Sequence, residues 1–423
     1  MNSGLVNCTN SKATQPSYST ASAKIGLILS NDWEIFGNGR GDFYSIQYEP
    51  TNQLIKVCER HGAKLTLMAE VGQQWAHEKL AESHPWAEEV AKSWKNQARD
   101  AIARGHDVQL HLHPQWIYAS HDGDNWVLDY DHYSLTSFSI DEATKIITSA
   151  KKYLENLLSG LDENYECIAF RAGNFMVDPS DKYLRSIAAS GIKCDTTVCK
   201  GQHLRNNLGS YDYRQAPSRY KPWWISEESL NQEDDGSRKL VEFPILSEPY
   251  SESRAGRRII AKLAKSGAED KFLQNRPVYR LAFERFKTNS QSYRRHQENL
   301  AIRRARYPDG GLPTRRSFGV QAARVADFVW RRSSLMLDYD NLMPGVAAAM
   351  VANIYEKLQD RKFDGYIPIV AIGHVKNMVN TDYMDEFLTL ISSELGDALT
   401  FQTLAEAYAM WFDNQAPHPR VQH

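Results

Sequence analysis

Two histidines spaced two residues apart, His111 and His113, close the run Gly105-His106-Asp107-Val108-Gln109-Leu110-His111-Leu112-His113-Pro114. The alternation of apolar and polar residues predicts a strand, and Pro114 predicts its end. Side chains at i and i+2 of a strand share a face, so both imidazoles can reach one point just past it. Two neutral imidazoles at a strand end are half of a metal site. A second apolar run, Ile25-Gly26-Leu27-Ile28-Leu29-Ser30, leads into Asn31-Asp32-Trp33-Glu34. Asp32 and Glu34 are again i and i+2, and they offer the carboxylates that the other half needs. Three or four such donors suit zinc with one position left for water, and a carboxylate not spent as a ligand can take that water's proton. Taken singly, Asp32 also reads as a turn cap and each histidine as an ordinary polar strand end.

Further strand ends carry candidates. In Phe170-Arg171-Ala172-Gly173, Arg171 can orient a carboxylate base and lower its pKa through a bidentate pair, or simply form a surface ion pair. Gly173 permits close backbone approach or a turn. Asp195-Thr196-Thr197 ends another run, where Asp195 suits a helix cap as well as a histidine partner. Glu242-Phe243-Pro244 ends one more. His374, after the apolar run Tyr366–Ile372, has the chemistry of a general acid for a leaving amine, or that of an exposed strand-end histidine. Trp33, Trp116, Trp223 and Trp224 lie beside these motifs and suit either sugar rings or core packing. His106, at the start of its strand, reads as structural.

These residues need a scaffold that brings strand ends together. Strands are expected over Ile25–Ser30, Lys64–Ala69, Val108–His113, Cys167–Arg171, Ile192–Thr197 and Leu240–Pro244. Helical periodicity falls between them, at Trp86–Arg104, Ile140–Ser159 and Pro179–Ser190. Such alternation predicts a parallel sheet, open or closed into a barrel, with its site at the strand C-terminal ends. The pattern resumes with a helix over Val346–Leu358, a strand over Tyr366–Ile372, a helix over Asp382–Glu394, a short strand Leu399–Phe401 and a helix Thr403–Met410. Between the two halves, residues 252–335 carry about 20 Lys and Arg against about 7 Asp and Glu. Arg-Arg pairs recur there (257–258, 294–295, 303–304, 315–316, 331–332), and periodic apolar residues predict a basic, mainly helical insertion. The division is therefore a disordered leader 1–23, a first barrel part 24–251, the insertion 252–335, a closing part 336–412 and a tail 413–423.

The 423 residues, 42% hydrophobic, can bury a large core, and a net charge of -2 gives no global argument for nucleic acid. No apolar run approaches the ~18 residues of a membrane span. The first residues lack a basic start and apolar core, so no secretory signal is read. Five cysteines without zinc-ribbon spacing read as buried free thiols in a reducing, cytoplasmic setting.

In order along the chain, these motifs resemble those of the polysaccharide deacetylase family, the NodB-type carbohydrate esterases. The matching stretches are Asp32-Trp33-Glu34, Gly105 through His111 with His113-Pro114, Phe170-Arg171-Ala172-Gly173, Gly191-Ile192-Lys193-Cys194-Asp195-Thr196-Thr197, and the strand ending in His374. The resemblance covers about 25–245 and 335–410. It implies a distorted, incomplete (β/α) barrel and a divalent metal, usually zinc. It implies Asp32 as general base, with Glu34, His111 and His113 as metal ligands. Arg171 would tune Asp32, Asp195 would support His374, and His374 would be the acid. Two departures stand out. The family's second histidine usually follows the first by four residues, where this chain has Gln115, and Glu34 replaces the usual Asp. The implied activity is hydrolytic removal of an N-acetyl group from a sugar or a sugar-phosphate or lipid-linked precursor in surface polysaccharide metabolism. The insertion's Arg pairs would hold phosphates or touch a membrane surface. Two alternatives stay open: an allantoinase-like hydrolase of a small amide, and a non-catalytic barrel that binds carbohydrate or membrane.

Overall fold

The computed structural model describes residues 23–234, 236, 238–253, 277–306 and 332–415. Nine strands form one sheet: β1 (Lys24–Trp33), β2 (Leu65–Glu70), β3 (Asp107–Leu112), β4 (Ala169–Ala172), β5 (Cys194–Asp195), β6 (Trp223–Trp224), β7 (Val241–Glu242), β8 (Tyr366–His374) and β9 (Leu399–Gln402). Their spatial order is β6-β7-β5-β4-β3-β2-β1-β8, with β9 also pairing with β1. All pairs are parallel except β6 with β7. Beyond β7 the chain reaches round to β8 through the bridge Ile245↔Val370 and the hydrogen bond from Leu246 N to Val370 O (3.0 Å). The sheet thus curls into the expected distorted, incomplete barrel. Distortion is visible in strand length: β1 and β8 run ten and nine residues, whereas β5 and β7 run two each.

Ten helices among the described residues pack round it: α1 (Glu49–Arg60), α2 (Val71–Ala81), α3 (Pro85–Ala103), α4 (Ile140–Leu158), α5 (Ser180–Ala189), α6 (Pro277–Phe286), α7 (Ser290–Arg306), α8 (Pro344–Asp360), α9 (Asp382–Leu395) and α10 (Leu404–Gln415). Helix α4 shows why these segments are helical. Ser139 and Glu142 form a capping box, and Ala143, Ile147, Ala150, Leu154 and Leu158 make one buried stripe. Side-chain parity sorts the strands into two faces. Ile28, Met68, Ala169, Cys194, Val241, Val370 and Ile372 fill the inside, joined by Leu404, Ala407 and Trp411 of α10. Leu27, Leu67, Leu110, Phe170 and Ile369 face outward into the larger helix-packed cluster. Continued two residues, the inner parity reaches Ser30 and Asp32 on β1, Glu70 on β2 and His374 on β8.

The described part of the insertion is an antiparallel ribbon, Ser247–Ser253 with Arg332–Met336, and the helices α6 and α7. The ribbon begins five residues before the expected boundary. Arginines of α6 and α7 engage the barrel helices: Arg285 pairs with Glu394 (2.6 Å) and Glu356, and Arg295 pairs with Glu386. The pairs Arg257-Arg258 and Arg315-Arg316, Arg331, the leader through residue 22, and residues 416–423 lie outside the described residues. Helix α10 runs through Gln415, three residues past the expected end of the closing part. Cys58, Cys167, Cys194 and Cys199 are buried free thiols; Cys8 lies outside the described residues. Trp33 stacks on Trp94 and is buried, as are Trp116 and Trp223, so these serve the core. His106 is also structural, its Nδ1 accepting from Leu65 N at 3.0 Å.

Candidate metal centre

Strand register places the chemistry. Asp32 on β1 stands opposite His374 on β8, and Glu70, His111 and Arg171 stand abreast on β2, β3 and β4. All five side chains are directed to the inner face, at the strand C-terminal ends. Glu34, one residue past β1, and His113, one past β3, keep the i, i+2 parity and join them.

Ligating atoms of Glu34, Glu70, His111 and His113 all lie within 4.8 Å of one another, and all four residues are buried. His111 Nε2 is 3.8 Å from Glu34 Oε1, and His113 Nε2 is 3.0 Å from Glu34 Oε2. Two ligands at ~2.0 Å in a tetrahedral site are about 3.3 Å apart, so these separations bracket what one small ion needs. His111 Nδ1 donates to Arg171 O at 2.9 Å. That bond fixes the tautomer and leaves Nε2 with a lone pair, the usual outer support of a metal-binding histidine. His111 Nε2 and Glu34 Oε2 are both buried without a well-aligned hydrogen bond, Glu34 Oε2 having only the 3.0 Å approach of His113 Nε2. Orphaned buried acceptors of this kind are expensive unless a ligand satisfies them.

His113 is less prepared. Its Nδ1 faces the amide nitrogens of Asn174 (3.0 Å) and Gln115 (3.2 Å), which puts a neutral ring's proton on Nε2. Freeing Nε2 for a ligand needs the proton on Nδ1, with the Asn174 amide turned to accept it and the Gln115 N–H turned away. Asn174 sits in the left-handed region (φ 52°), directly after Gly173. A Cβ on Gly173 would meet Leu112 O at 2.6 Å and His113 Cγ at 2.8 Å, so the close approach anticipated there is to His113 itself.

Glu70 was not anticipated, although it ends the apolar run Lys64–Ala69 as the other candidates end theirs. One of its oxygens caps α2 by accepting from Gly72 N (2.8 Å), and the other accepts from His113 N. It therefore anchors the His113 backbone as well as bordering the site. Lys376 also enters, its ammonium paired with Glu34 Oε1.

Asp32 is held by Arg171, whose Nη1 donates to Oδ1 at 2.6 Å; Nη2 donates to Ser30 Oγ (2.7 Å) and Nε to Thr196 O (2.9 Å). Burial opposes ionisation of Asp32, but Arg171, His111 and His374 more than offset it and hold the carboxyl well below its usual range. Glu34 is likewise depressed, burial being outweighed by His113 and Lys376. Burial disfavours a charged His111, yet Asp32, Glu34 and Glu70 raise it to about 9. The centre is thus short of positive charge, and a divalent cation would supply it while displacing that proton.

His374 Nε2 lies 3.3 Å from Asp32 Oδ2. Burial lowers its basicity, but the bond to Asp32 and the charge of Asp338 leave it raised. Its Nδ1 is 4.0 Å from Asp338 Oδ2, and its backbone N donates to Asp340. Here the structure corrects the expectation for Asp195. Asp195 pairs in register with the outward Phe170, opposite in parity to Arg171, and so faces away from the barrel interior. Its Oδ1 accepts from Tyr183 Oη of α5 (2.7 Å) and Thr197 Oγ1 (2.8 Å), with Glu242 as its buried neighbour. The carboxylate beside His374 is Asp338, from the segment that returns from the insertion. Tyr339 braces the same corner: its Oη donates to Ser30 O (3.0 Å) and accepts from Asn31 Nδ2 (2.9 Å). It packs where a Cβ on Gly373 would stand 2.1 Å from its ring.

No protein-family model matches the chain, and no curated protein does. Among solved structures, a protein described as a polysaccharide deacetylase from Mycobacterium smegmatis is 11% identical, with a TM-score of 0.43 over 98% of this chain and 99% of that one. The PuuE allantoinase is 9% identical, with a TM-score of 0.42 over 96% of each chain. A protein described as a polysaccharide deacetylase from Pseudomonas aeruginosa PAO1 is 10% identical, with a TM-score of 0.41 over 94% and 93%.

Proposed function

We propose that the protein is a metal-dependent hydrolase that removes an N-acyl group, most simply acetyl, from a sugar. The observation that carries this reading is the convergence of buried donors, two of them without a well-aligned hydrogen bond, beside an ionised Asp32 and a histidine. Glu34, His111 and His113 would hold the ion, and two imidazoles with a carboxylate favour zinc. When bound, the ion would polarise the acyl carbonyl and acidify a water.

Asp32, ionised at any working pH, takes a proton from the attacking water. Its depressed pKa makes it a weak base, which suits a water already acidified. The water oxygen bonds to the acyl carbon, the C–N bond breaks, and His374 gives its Nε2 proton to the departing nitrogen. The products are a carboxylate and an amine, and Asp32 returns its proton through solvent or to His374. Arg171 fixes the Asp32 carboxylate, Asp340 holds the His374 backbone, and the Asp338 charge faces the His374 ring 4.0 Å from Nδ1. The buried free thiols support a reducing, cytoplasmic setting, where the substrate would be a precursor rather than finished polymer.

One observation favours a second reading, a metal-free barrel that only binds carbohydrate. Lys376 already neutralises one oxygen of Glu34. Metal analysis separates the two. Near-stoichiometric zinc in the wild type, lost in His111→Ala, together with acetate release from N-acetylated sugars, is the expected result. Absence of metal even after reconstitution would leave the binding barrel.

A further inference from the structure

A second group of donors stands on the Nδ1 side of His374 and shares no residue with the Glu34, His111 and His113 set. Ligating atoms of Asp338, Asp340 and His374 all lie within 4.8 Å of one another. The segment that returns from the insertion is fixed against β8 by the parallel bridge Asp338↔Ile372. There Ile372 N donates to Leu337 O (2.9 Å) and Tyr339 N donates to Ile372 O (3.0 Å). That register sets both aspartates beside His374, two residues further along β8. Both are buried, at 5% and 6% exposure. Asp338 Oδ1 accepts from the backbone N of Asp340 (3.1 Å) and of Asn341 (3.0 Å), and Asp340 accepts from His374 N.

His374 Nδ1 marks the gap. It is buried without a hydrogen bond, and Asp338 Oδ2, at 4.0 Å, is too far to accept from it. A proton on Nδ1 therefore does not close the space. Ligands at ~2.0–2.1 Å from one ion stand about 2.9 Å apart when adjacent and about 4.1 Å apart when opposite, so a cation would close it. Charge points the same way. Arg303 gives its Nη atoms to Asn341 Oδ1 (2.5 Å) and to the Asp340 carbonyl, not to a carboxylate. Among the described residues neither aspartate has a lysine or arginine salt bridge; the partner is His374. Burial and the Asp338 charge push the Asp340 carboxyl up to about 7, in spite of Arg303. Two carboxylates and an imidazole suit zinc or manganese.

We propose that Asp338, Asp340 and His374 Nδ1 form a second divalent-cation seat, filled after the first and inhibitory when filled. An ion on Nδ1 excludes the imidazolium form. His374 is then left with the Nε2 proton of a neutral, metal-bound ring, a far weaker acid for the departing nitrogen. The inhibition rests on the hydrolase reading; the binding does not. The full chain is titrated with zinc chloride by calorimetry, after its resident metal has been counted by elemental analysis. Total uptake should reach two equivalents, the second bound roughly tenfold or more weakly. Asp340→Asn, which keeps an acceptor for His374 N, should lose the second equivalent and keep the first, and His374→Ala should do the same. His111→Ala should lose the first and keep the second. Unchanged melting temperatures guard against misfolding. A single equivalent up to about 1 mM free zinc, or a second that survives both Asp340→Asn and His374→Ala, overturns the seat. In acetate-release assays kcat should rise with the first equivalent and fall about tenfold or more as the second fills. Turnover that ignores the second equivalent overturns the inhibition. Two equivalents with no acetate released at any zinc level would sink the hydrolase reading and leave the seat. Zinc-dependent acetate release with a single equivalent would do the reverse.

Discussion

Two aspartates at strand ends, Asp32 and Asp195, have the same chemistry, the same burial and opposite environments. Asp32 points into the barrel, meets a guanidinium at 2.6 Å, and is ionised. Asp195 points outward, meets a phenol, a threonine and the carboxyl of Glu242, and burial raises both acids. One pair stores a charge at the mouth of a site; the other sets two buried carboxyls side by side inside the wall. The lesson is that an acid at a strand end is assigned by its parity and by the cation beside it, not by its place in a motif.

That contrast can be broken or sharpened by substitution. Asp32→Asn should lower acyl hydrolysis by about 10²–10⁴-fold, the usual worth of a positioned general base, in assays of acetate release. Asp195→Asn should leave kcat within about threefold, because a positioning role through His374 is absent; a loss as large as that of Asp32→Asn would restore the motif-based assignment. Arg171→Met should destabilise the metal-free protein by about 3–5 kcal/mol in denaturant titrations, since it strands a buried carboxylate. A change below about 1 kcal/mol would mean that Asp32 is solvated and not held by its pair.

A smaller loss is expected for Asp338→Asn: about tenfold in kcat, with KM little changed and the alkaline limb of the pH profile displaced, as a positioning residue of His374 requires. An unmoved pH profile would make Asp338 merely structural. The weakest effect is in the pH dependence of stability. Asp32 has a depressed pKa, so its contribution is present above the ordinary carboxylate range of about 4 and lost on acidification. The raised Asp195–Glu242 pair has the opposite sign. Its contribution is full below about 4 and lost as pH rises through the raised value. Glu242→Gln should therefore flatten the decline of stability on the alkaline side, measured by denaturant midpoints across pH; an unaltered slope would place the titrating proton elsewhere.

Much of the scaffold was legible beforehand because it is written in short-range periodicity. The expected strands at Ile25, Lys64, Val108, Cys167 and Tyr366 match β1, β2, β3, β4 and β8 within a few residues. The i, i+2 spacing correctly put His111 and His113 on one face, their rings 4.8 Å apart. Legible too were Asp32, Glu34, Arg171 and His374 as strand-end groups that gather at one point. Glu70 carries the same signal, a carboxylate closing an apolar run, but has no i, i+2 polar partner to single it out.

Sequence by itself determined which segments are strands, which face each residue occupies, and which side chains sit at strand ends, because those follow from the two-residue and 3.6-residue periods. It did not determine partners. Lys376 reaches Glu34 across 342 residues, and Asp338, delivered by the strand that returns from the basic insertion, takes the place expected of Asp195. Such pairings depend on strand register and on where a long excursion re-enters the barrel. These are properties of the closed sheet as a whole, so only the tertiary structure could decide which buried acid is charged, which is neutral, and which stands beside the histidine.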